Sequence, residues 1–326
     1  MSNIDFTGRV AIITGSGGGL GRQYALDLAA RGASIVVNDI WAEPDGGGRQ
    51  VRIADKVVQE IQSAGGRAVA TYDSVGTRAG ADRLVQAAMD QFGRVDIVIN
   101  NAGNQANNRF ELMSDEDYEA VLAVHLKGAF YLTQTAYKQM MARQYGRVLF
   151  TSSSSGMLGH YIRTNYASAK AGLIGLMHSV SLEGARYGIM ANALLPMAGG
   201  GSNRLGKVPP GTLWPEWEKR MPENQPEMSI VGPAMTLANV SPLVVYLVSE
   251  ACKSTHAMYS TLGGRYARVF IGVTRGWLAN SGRSATPEEV EAHFAEISDA
   301  ATYEEYGFLT DEVLAVARRI KSESGG

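Results

Sequence analysis

Tyr166 and Lys170 lie four residues apart in Asn165-Tyr-Ala-Ser-Ala-Lys170. At helical spacing both side chains project from one face, about one turn apart. Thirteen positions before Tyr166 stands Ser153, in a serine run that follows the strand-like stretch Val148-Leu-Phe-Thr151. A phenol beside an ammonium, with a hydroxyl at the end of a neighbouring strand, can move a proton on and off an alcohol. A free tyrosine titrates near pH ~10. A unit charge at roughly 4 Å, in an effective dielectric of about 20, contributes on the order of 4 kcal/mol. The expectation is therefore that Lys170 lowers the Tyr166 phenol by about three pKa units, toward neutrality, where a general base works best. A Tyr-x-x-x-Lys pair also occurs on solvated helix faces, so the remaining elements decide its meaning.

Those elements begin at the N-terminus. Arg9-Val-Ala-Ile-Ile-Thr14 reads as a buried strand. The turn Thr14-Gly-Ser-Gly-Gly-Gly-Leu-Gly21 follows, and then a helical pattern through Tyr24, Leu28 and Ala29. Glycines between strand and helix admit a pyrophosphate to the backbone, and the helix start offers free N–H groups and a positive dipole. A second strand, Ala33–Asn38, ends at Asp39, eighteen residues beyond Gly21. A carboxylate there accepts hydrogen bonds from adenosine ribose hydroxyls and repels a 2′-phosphate. No Lys or Arg stands at 16–19 or directly after Asp39, so the cofactor expected is NAD. Two further strands, Arg67–Tyr72 leading to Asp73 and Val95–Ile99 leading to Asn100-Asn-Ala-Gly103, continue the rhythm. The fold class is α/β: a Rossmann-like, doubly wound parallel sheet with helices on both faces and a helical C-terminal extension.

The glycine turn at 14–21, Asn100-Asn-Ala-Gly103, and Ser153, Tyr166 and Lys170 in this order resemble the short-chain dehydrogenase/reductase family over roughly residues 6–275. Within it, Val37-Asn-Asp39, Tyr72-Asp-Ser-Val75, Val124-His-Leu-Lys-Gly128 and Thr164–Lys170 are similar to the (3R)-hydroxyacyl-CoA dehydrogenase domain of the peroxisomal multifunctional enzyme type 2 group, also called 17β-hydroxysteroid dehydrogenase type 4. The resemblance implies NAD-linked oxidation of a secondary alcohol on a bulky apolar substrate by a homodimer or homotetramer. It makes Tyr166 the base, gives Lys170 the phenol and the nicotinamide ribose, and has Ser153 orient the substrate oxygen. Gly15, Gly19, Leu20, Gly21, Asp39, Asn101, Ala102 and Gly103 become cofactor residues. Asp73 would meet the adenine amino group, with Ser74 beside it. His125 stands where most of the family has Asn, at a position tied to a proton-relaying water; it is either that relay or a hydrogen-bonded helix histidine. Pro196-Met197 replaces a common Pro-Gly, so the loop would reach the nicotinamide through Ala198 and Gly199.

Residues 198–240 break the strand-helix rhythm with Gly199–Gly201, Pro209-Pro-Gly211, Trp214, Trp217 and three methionines. The length suits an active-site lid. Trp214 and Trp217 would either line the substrate or pack on the body of the protein. His160, between Ser153 and Tyr166, would either reach the substrate or stand exposed on a loop. The expected organisation is a catalytic domain over 1–275, including this lid, and a helical extension over 276–326. Val269-Phe-Ile-Gly-Val273 reads as the last strand, Thr286-Pro-Glu-Glu289 as a helix start, and Thr310–Ile320 as an amphipathic helix.

Net charge is −2, from 30 basic and 32 acidic residues, which argues against a nucleic-acid surface. The histidines at 125, 160, 178, 256 and 293 lack metal-ligand spacing, so no metal is expected. Cys252, the single cysteine, sits in the Leu243–Val248 helix-like region and reads as core. No leader precedes the first strand, no apolar run reaches about 18 residues, and the Ser-Glu-Ser-Gly-Gly end is not a peroxisomal signal; the default is cytoplasmic, with no membrane span. Three other functions remain: a dehydrogenase of another ring or aromatic secondary alcohol; a nucleotide-sugar epimerase, which shares the Tyr-Lys pair but has a wider glycine spacing; and a non-enzymatic NAD-binding protein.

Overall fold

The computed structural model describes residues 4–44, 50–198, 211, 213, 215–220, 225–279 and 284–324. Every residue of β1 (Val10–Thr14) and β2 (Ser34–Asn38) is buried. Their continuous apolar runs follow from this, since a central parallel strand is covered on both faces. Helix α1 (Gly19–Ala29) crosses between them, and a short hairpin of β3 (Ala42–Pro44) and β4 (Gln50–Arg52) follows β2. After α2 (Ile53–Ser63) and β5 (Arg67–Thr71), Thr77 caps α3 (Arg78–Phe92), its hydroxyl accepting from the Gly80 amide. Gly93, in a left-handed conformation, ends that helix. β6 (Ile97–Asn100) leads to α4 (Asp115–Leu122), which runs through a π-helical turn (Ala123–Lys127) into α5 (Gly128–Arg143). Then come β7 (Gly146–Thr151), α6 (Ser155–Leu158), α7 (Thr164–Gly184) and β8 (Ile189–Met197). Short helices α8 (Pro215–Glu218) and α9 (Met228–Val231) precede α10 (Ser241–Leu247), β9 (Ala257–Leu262) and β10 (Arg265–Val269).

The sheet order is β10-β9-β8-β7-β6-β1-β2-β5. From β5 across to β9 every neighbouring pair is parallel. Helices α1, α2 and α10 pack together as one layer, and α3, α5 and α7 as another. The order reverses between β1 and β6, so the turns leaving these two strands diverge and leave a crevice. This is the doubly wound α/β sheet expected from the sequence.

The chain divides into two compact units, Met1–Arg268 and Val269–Gly326. In the second, β11 (Val273–Thr274) pairs antiparallel with β12 (Tyr303–Glu304), alongside α11 (Pro287–Ala292), α12 (Phe294–Ile297) and α13 (Leu309–Ser324). Thr286 and Glu289 form the capping box that the sequence signals at α11, and α13 covers the amphipathic run.

Two expectations change. Val269–Val273 is not the last sheet strand: only its first residue closes β10, only its last opens β11, and Phe270 and Ile271 are exposed. The terminal strands are β9 and β10, turned at Gly263 and Gly264 with φ of 56° and 84°, as a tight hairpin requires. The polar Arg-Tyr-Ala-Arg-Val composition of β10 suits a sheet edge and conceals it from an apolar pattern search. Cys252 lies beyond the end of α10 rather than within it, and is fully buried in the core.

Candidate active site

The turn after β1 is shaped by absent side chains. Gly15 and Gly19 hold φ of 62° and 52°, where a Cβ is unfavourable. A Cβ on Gly15 would lie 2.8 Å from the Ala102 Cα, and one on Gly21 would lie 2.4 Å from the Gly15 carbonyl oxygen. At Gly18 and Gly19 an added Cβ meets no atom within 4 Å, and both residues, with Gly15 and Leu20, line a cleft of about 820 Å³. α1 starts at this turn without a side-chain cap and without an acidic residue in its first turn. Its leading amides are therefore left for an anion.

The loop after β6 is tied to the same turn. The Asn101 and Ala102 amides both donate to Thr14 Oγ1 at 3.0 Å, and the Asn101 side-chain amide donates to the Thr14 and Gly15 carbonyls at 2.9 and 3.2 Å. Thr14, quoted in the glycine motif without a role of its own, thus ties the two halves of the crevice together. Gly103 brings the chain against His125: a Cβ there would sit 2.4 Å from the imidazole Cε1. At the end of β2, Asp39 accepts hydrogen bonds from the Gly17 and Trp41 amides, both at 3.1 Å. Ile40, Trp41 and Ile53 line the cleft beside it; nothing in the sequence reading had marked them. The Asp73 carboxylate is taken by Arg83 at 2.7 Å, while Ser74 and Val75 line the cleft. Pro196 and Ala198 line it from β8 and its exit, and Gly199 lies outside the described residues. An open glycine turn, an uncapped helix start and a buried acid at the next strand end are a donor set that fits a dinucleotide.

The other end of the cleft carries Tyr166, Lys170 and His125. Asn165 fixes the start of α7. Its side chain donates to the Ala106 and Asp117 carbonyls at 2.8 and 3.1 Å and accepts from the Tyr166 amide at 2.7 Å. The Ser153 hydroxyl accepts from the Ser155 amide at 3.1 Å and stands close enough to the Tyr166 hydroxyl to favour its ionised form.

Lys170 does not act on the phenol in the way that point charges suggest. It is 3 % exposed, its ammonium is 5.4 Å from the Tyr166 ring centroid, and it donates to the Thr151 carbonyl. Burial pulls its pKa down to about 7. Burial also pushes Tyr166 above the ordinary phenol value, opposed by the Ser153 hydroxyl and the Arg163 guanidinium. The lowering expected from Lys170 is absent: the ammonium is turned to the Thr151 carbonyl, and burial, which spacing along a helix does not reveal, raises the phenol instead.

His125 stands on the π-helical turn, edge-on to Tyr166 with ring centroids 5.1 Å apart. Its Nε2 lies 2.9 Å from the Asn104 carbonyl oxygen and 3.2 Å from the Asn104 amide, and its Nδ1 is buried without a partner. Burial, reinforced by the Lys170 cation, lowers its pKa to about 3, so the ring is neutral. A cavity of about 10 Å³, the size of one water, is lined by His125, Lys170, Thr14 and Asn100.

Two residues expected near the substrate are elsewhere. His160 is exposed and turned to the Tyr161 carbonyl. Trp217 is 60 % exposed and does not line the cleft. Trp214 lies outside the described residues, and of the expected lid only Ala198 and Leu237 reach the cleft wall among those described.

Residues 9–200 match the family described as short chain dehydrogenase. A short-chain type dehydrogenase/reductase of Mycobacterium tuberculosis is 41% identical over 302 residues, 92% of this chain and 97% of that protein. A hydroxyacyl-CoA dehydrogenase of the same organism is 40% identical over 202 residues, covering 60% of this chain and 62% of the relative. The solved full-length peroxisomal multifunctional enzyme type 2 of Drosophila melanogaster aligns with 98% of this chain at a TM-score of 0.77 and 29% identity. This chain spans half the length of that enzyme. The matching family and the dehydrogenases among these relatives make the chain an alcohol or hydroxyacyl-CoA oxidoreductase. The chain belongs to the short chain dehydrogenase family, and its dehydrogenase resembles that of peroxisomal multifunctional enzyme type 2.

Proposed function

We propose that the chain uses NAD to interconvert a secondary alcohol and a ketone on a bulky apolar substrate, foremost a (3R)-3-hydroxyacyl-CoA and secondarily a 17β-hydroxysteroid. The observation that carries this reading is one continuous cleft with Asp39 at one end and Tyr166, Lys170 and His125 at the other. Asp39 supports NAD, since a carboxylate already oriented by two backbone amides suits ribose hydroxyls and repels a phosphate ester. The acyl-CoA preference is supported by the hydroxyacyl-CoA dehydrogenase among the relatives.

NAD held along this cleft between Asp39 and Lys170 would supply a hydride acceptor for the alcohol carbon, or a donor in the reverse direction. The protein handles the proton. The Ser153 and Tyr166 hydroxyls, which stand beside each other, hold the substrate oxygen. Tyr166, as phenolate, takes the hydroxyl proton and becomes a phenol. Lys170, its pKa near 7, then exchanges that proton with solvent. The cavity it shares with the neutral His125 supports a water on this route.

The test is a steady-state comparison of a (3R)-3-hydroxyacyl-CoA, a 17β-hydroxysteroid and a short secondary alcohol, each with NAD and with NADP. The acyl-CoA with NAD should give the highest kcat/KM. A short alcohol as best substrate would overturn the substrate assignment, and faster turnover with NADP would overturn the cofactor.

A further inference from the structure

Arg163 precedes α7 and is 9 % exposed. A guanidinium this deep is normally paired with a carboxylate. Among the described residues the Arg163 side chain makes no ion pair and one long hydrogen bond, 3.5 Å to the Gln105 side-chain oxygen, and its Nε is buried without a partner. The guanidinium carbon instead lies 5.5 Å from the Tyr166 ring centroid, within cation–π range.

The backbone is bent to put it there. Ile162, a β-branched residue, is held at φ 55°, a conformation such residues rarely adopt. Its carbonyl accepts from the Asn108 amide at 3.0 Å, and Arg163 bridges to Asn108. The loop after β6 therefore clamps a strained link whose next residue carries the buried cation.

Among the described residues, four groups face Tyr166. Lys170, from α7 itself, is turned to the Thr151 carbonyl. Ser153, after β7, is an uncharged hydroxyl. His125, from the π-helical turn, is neutral. Arg163 is the fourth, and the one whose charge is permanent.

We propose that Arg163 is a positioning residue for the reaction, a buried cation without an ion-pair partner among the described residues that stabilises the Tyr166 phenolate. Tyr166 is the ionisable group placed to pair with it, so loss of the phenol proton gives the guanidinium the anion it otherwise lacks. The direction agrees with the electrostatics: Arg163 opposes the rise that burial imposes on Tyr166, and Tyr166 opposes the fall that burial imposes on Arg163.

The inference rests on Tyr166 as the base, and the experiment separates the two. Tyrosinate absorbance is titrated in wild type and Tyr166→Phe, and again in Arg163→Gln with and without Tyr166→Phe. Each difference isolates the Tyr166 inflection without any turnover. A buried charge at this range should move it, so Arg163→Gln raises the inflection by about one pH unit or more, and Arg163→Lys recovers part of the shift. Gln105→Glu, which hands the guanidinium a carboxylate while leaving Arg163 in place, should raise it as well and serves if Arg163→Gln does not fold. In parallel, the pH profile of kcat/KM for (3R)-3-hydroxyacyl-CoA oxidation should move alkaline by a similar amount. An inflection that moves while the rate profile stays would support Arg163 and overturn Tyr166 as the base. An inflection unmoved by both Arg163→Gln and Gln105→Glu, or by whichever of the two folds, would make Arg163 a packing residue and overturn the inference.

Discussion

The two ends of the cleft are built by different means. The nucleotide end is backbone geometry: glycines where a Cβ would strike Ala102 or the Gly15 carbonyl, amides shared through Thr14, and Asp39 oriented by two N–H groups. The catalytic end is a set of side chains whose charge states depend on burial, with Lys170 pulled to about 7 and His125 to about 3. Steric requirements are local and survive as residue types in the sequence. Charge states are set by the whole surrounding fold. The first region should therefore break through shape, and the second through pH.

The largest effect belongs to Lys170. Its pKa in the folded state is depressed from 10.5 to about 7, so the unfolded chain binds the extra proton between those values. Its stability contribution is present above pH ~10 and is lost as pH falls through about 7. Wild-type protein without added NAD should accordingly gain stability relative to Lys170→Met as pH rises from 7 to 10, by up to about 4 kcal/mol. Thermal melts of both proteins across that range check this, and parallel curves would contradict the buried-lysine account. Tyr166, raised by burial, works in the opposite sense only above about pH 10, so the window is clear of it.

Next in size is Gly21→Ala. The new methyl would sit 2.4 Å from a backbone oxygen, which can yield only by moving the turn. We expect a loss of about 1–3 kcal/mol in stability and NAD binding too weak to titrate. Wild-type calorimetric affinity for NAD in this variant would mean that the turn is not shaped for a phosphate.

Asp39→Ala should have the smallest effect, because its reach is limited to one end of the cofactor. Losing charge-assisted hydrogen bonds to the ribose should narrow the NAD preference over NADP by roughly ten- to a hundred-fold. An unchanged ratio of kcat/KM values would remove Asp39 from cofactor selection.

The same contrast explains what the sequence disclosed. The strands β1, β2, β5, β6 and β7, the glycine turn and the Tyr166-Lys170 register on α7 were legible because period, breakers and residue type all agree there. The hairpin of β3 and β4 was not, since three-residue strands beside Glu-Pro-Asp-Gly give no pattern to read. Thr14 and Asn165 are cross-links between distant segments, visible only once the sheet order brings β1 beside β6 and α7 beside the loop after β6. Trp217 shows the reverse: an aromatic in an irregular stretch suggested a substrate wall, yet its ring is exposed. Arg163 escaped notice because its significance lies in a missing partner, and a sequence shows residues but not which of them are left unpaired.

The central claim is that Tyr166 moves the proton in an NAD-linked oxidation. The direct measurement is NAD reduction by wild type and Tyr166→Phe with a (3R)-3-hydroxyacyl-CoA, alongside calorimetric NAD affinity for both. The phenylalanine ring keeps the packing against His125 but has no proton to exchange. The account predicts a fall in kcat of about 10²–10⁴-fold with NAD affinity nearly unchanged. Oxidation at a rate close to wild type in Tyr166→Phe would contradict it.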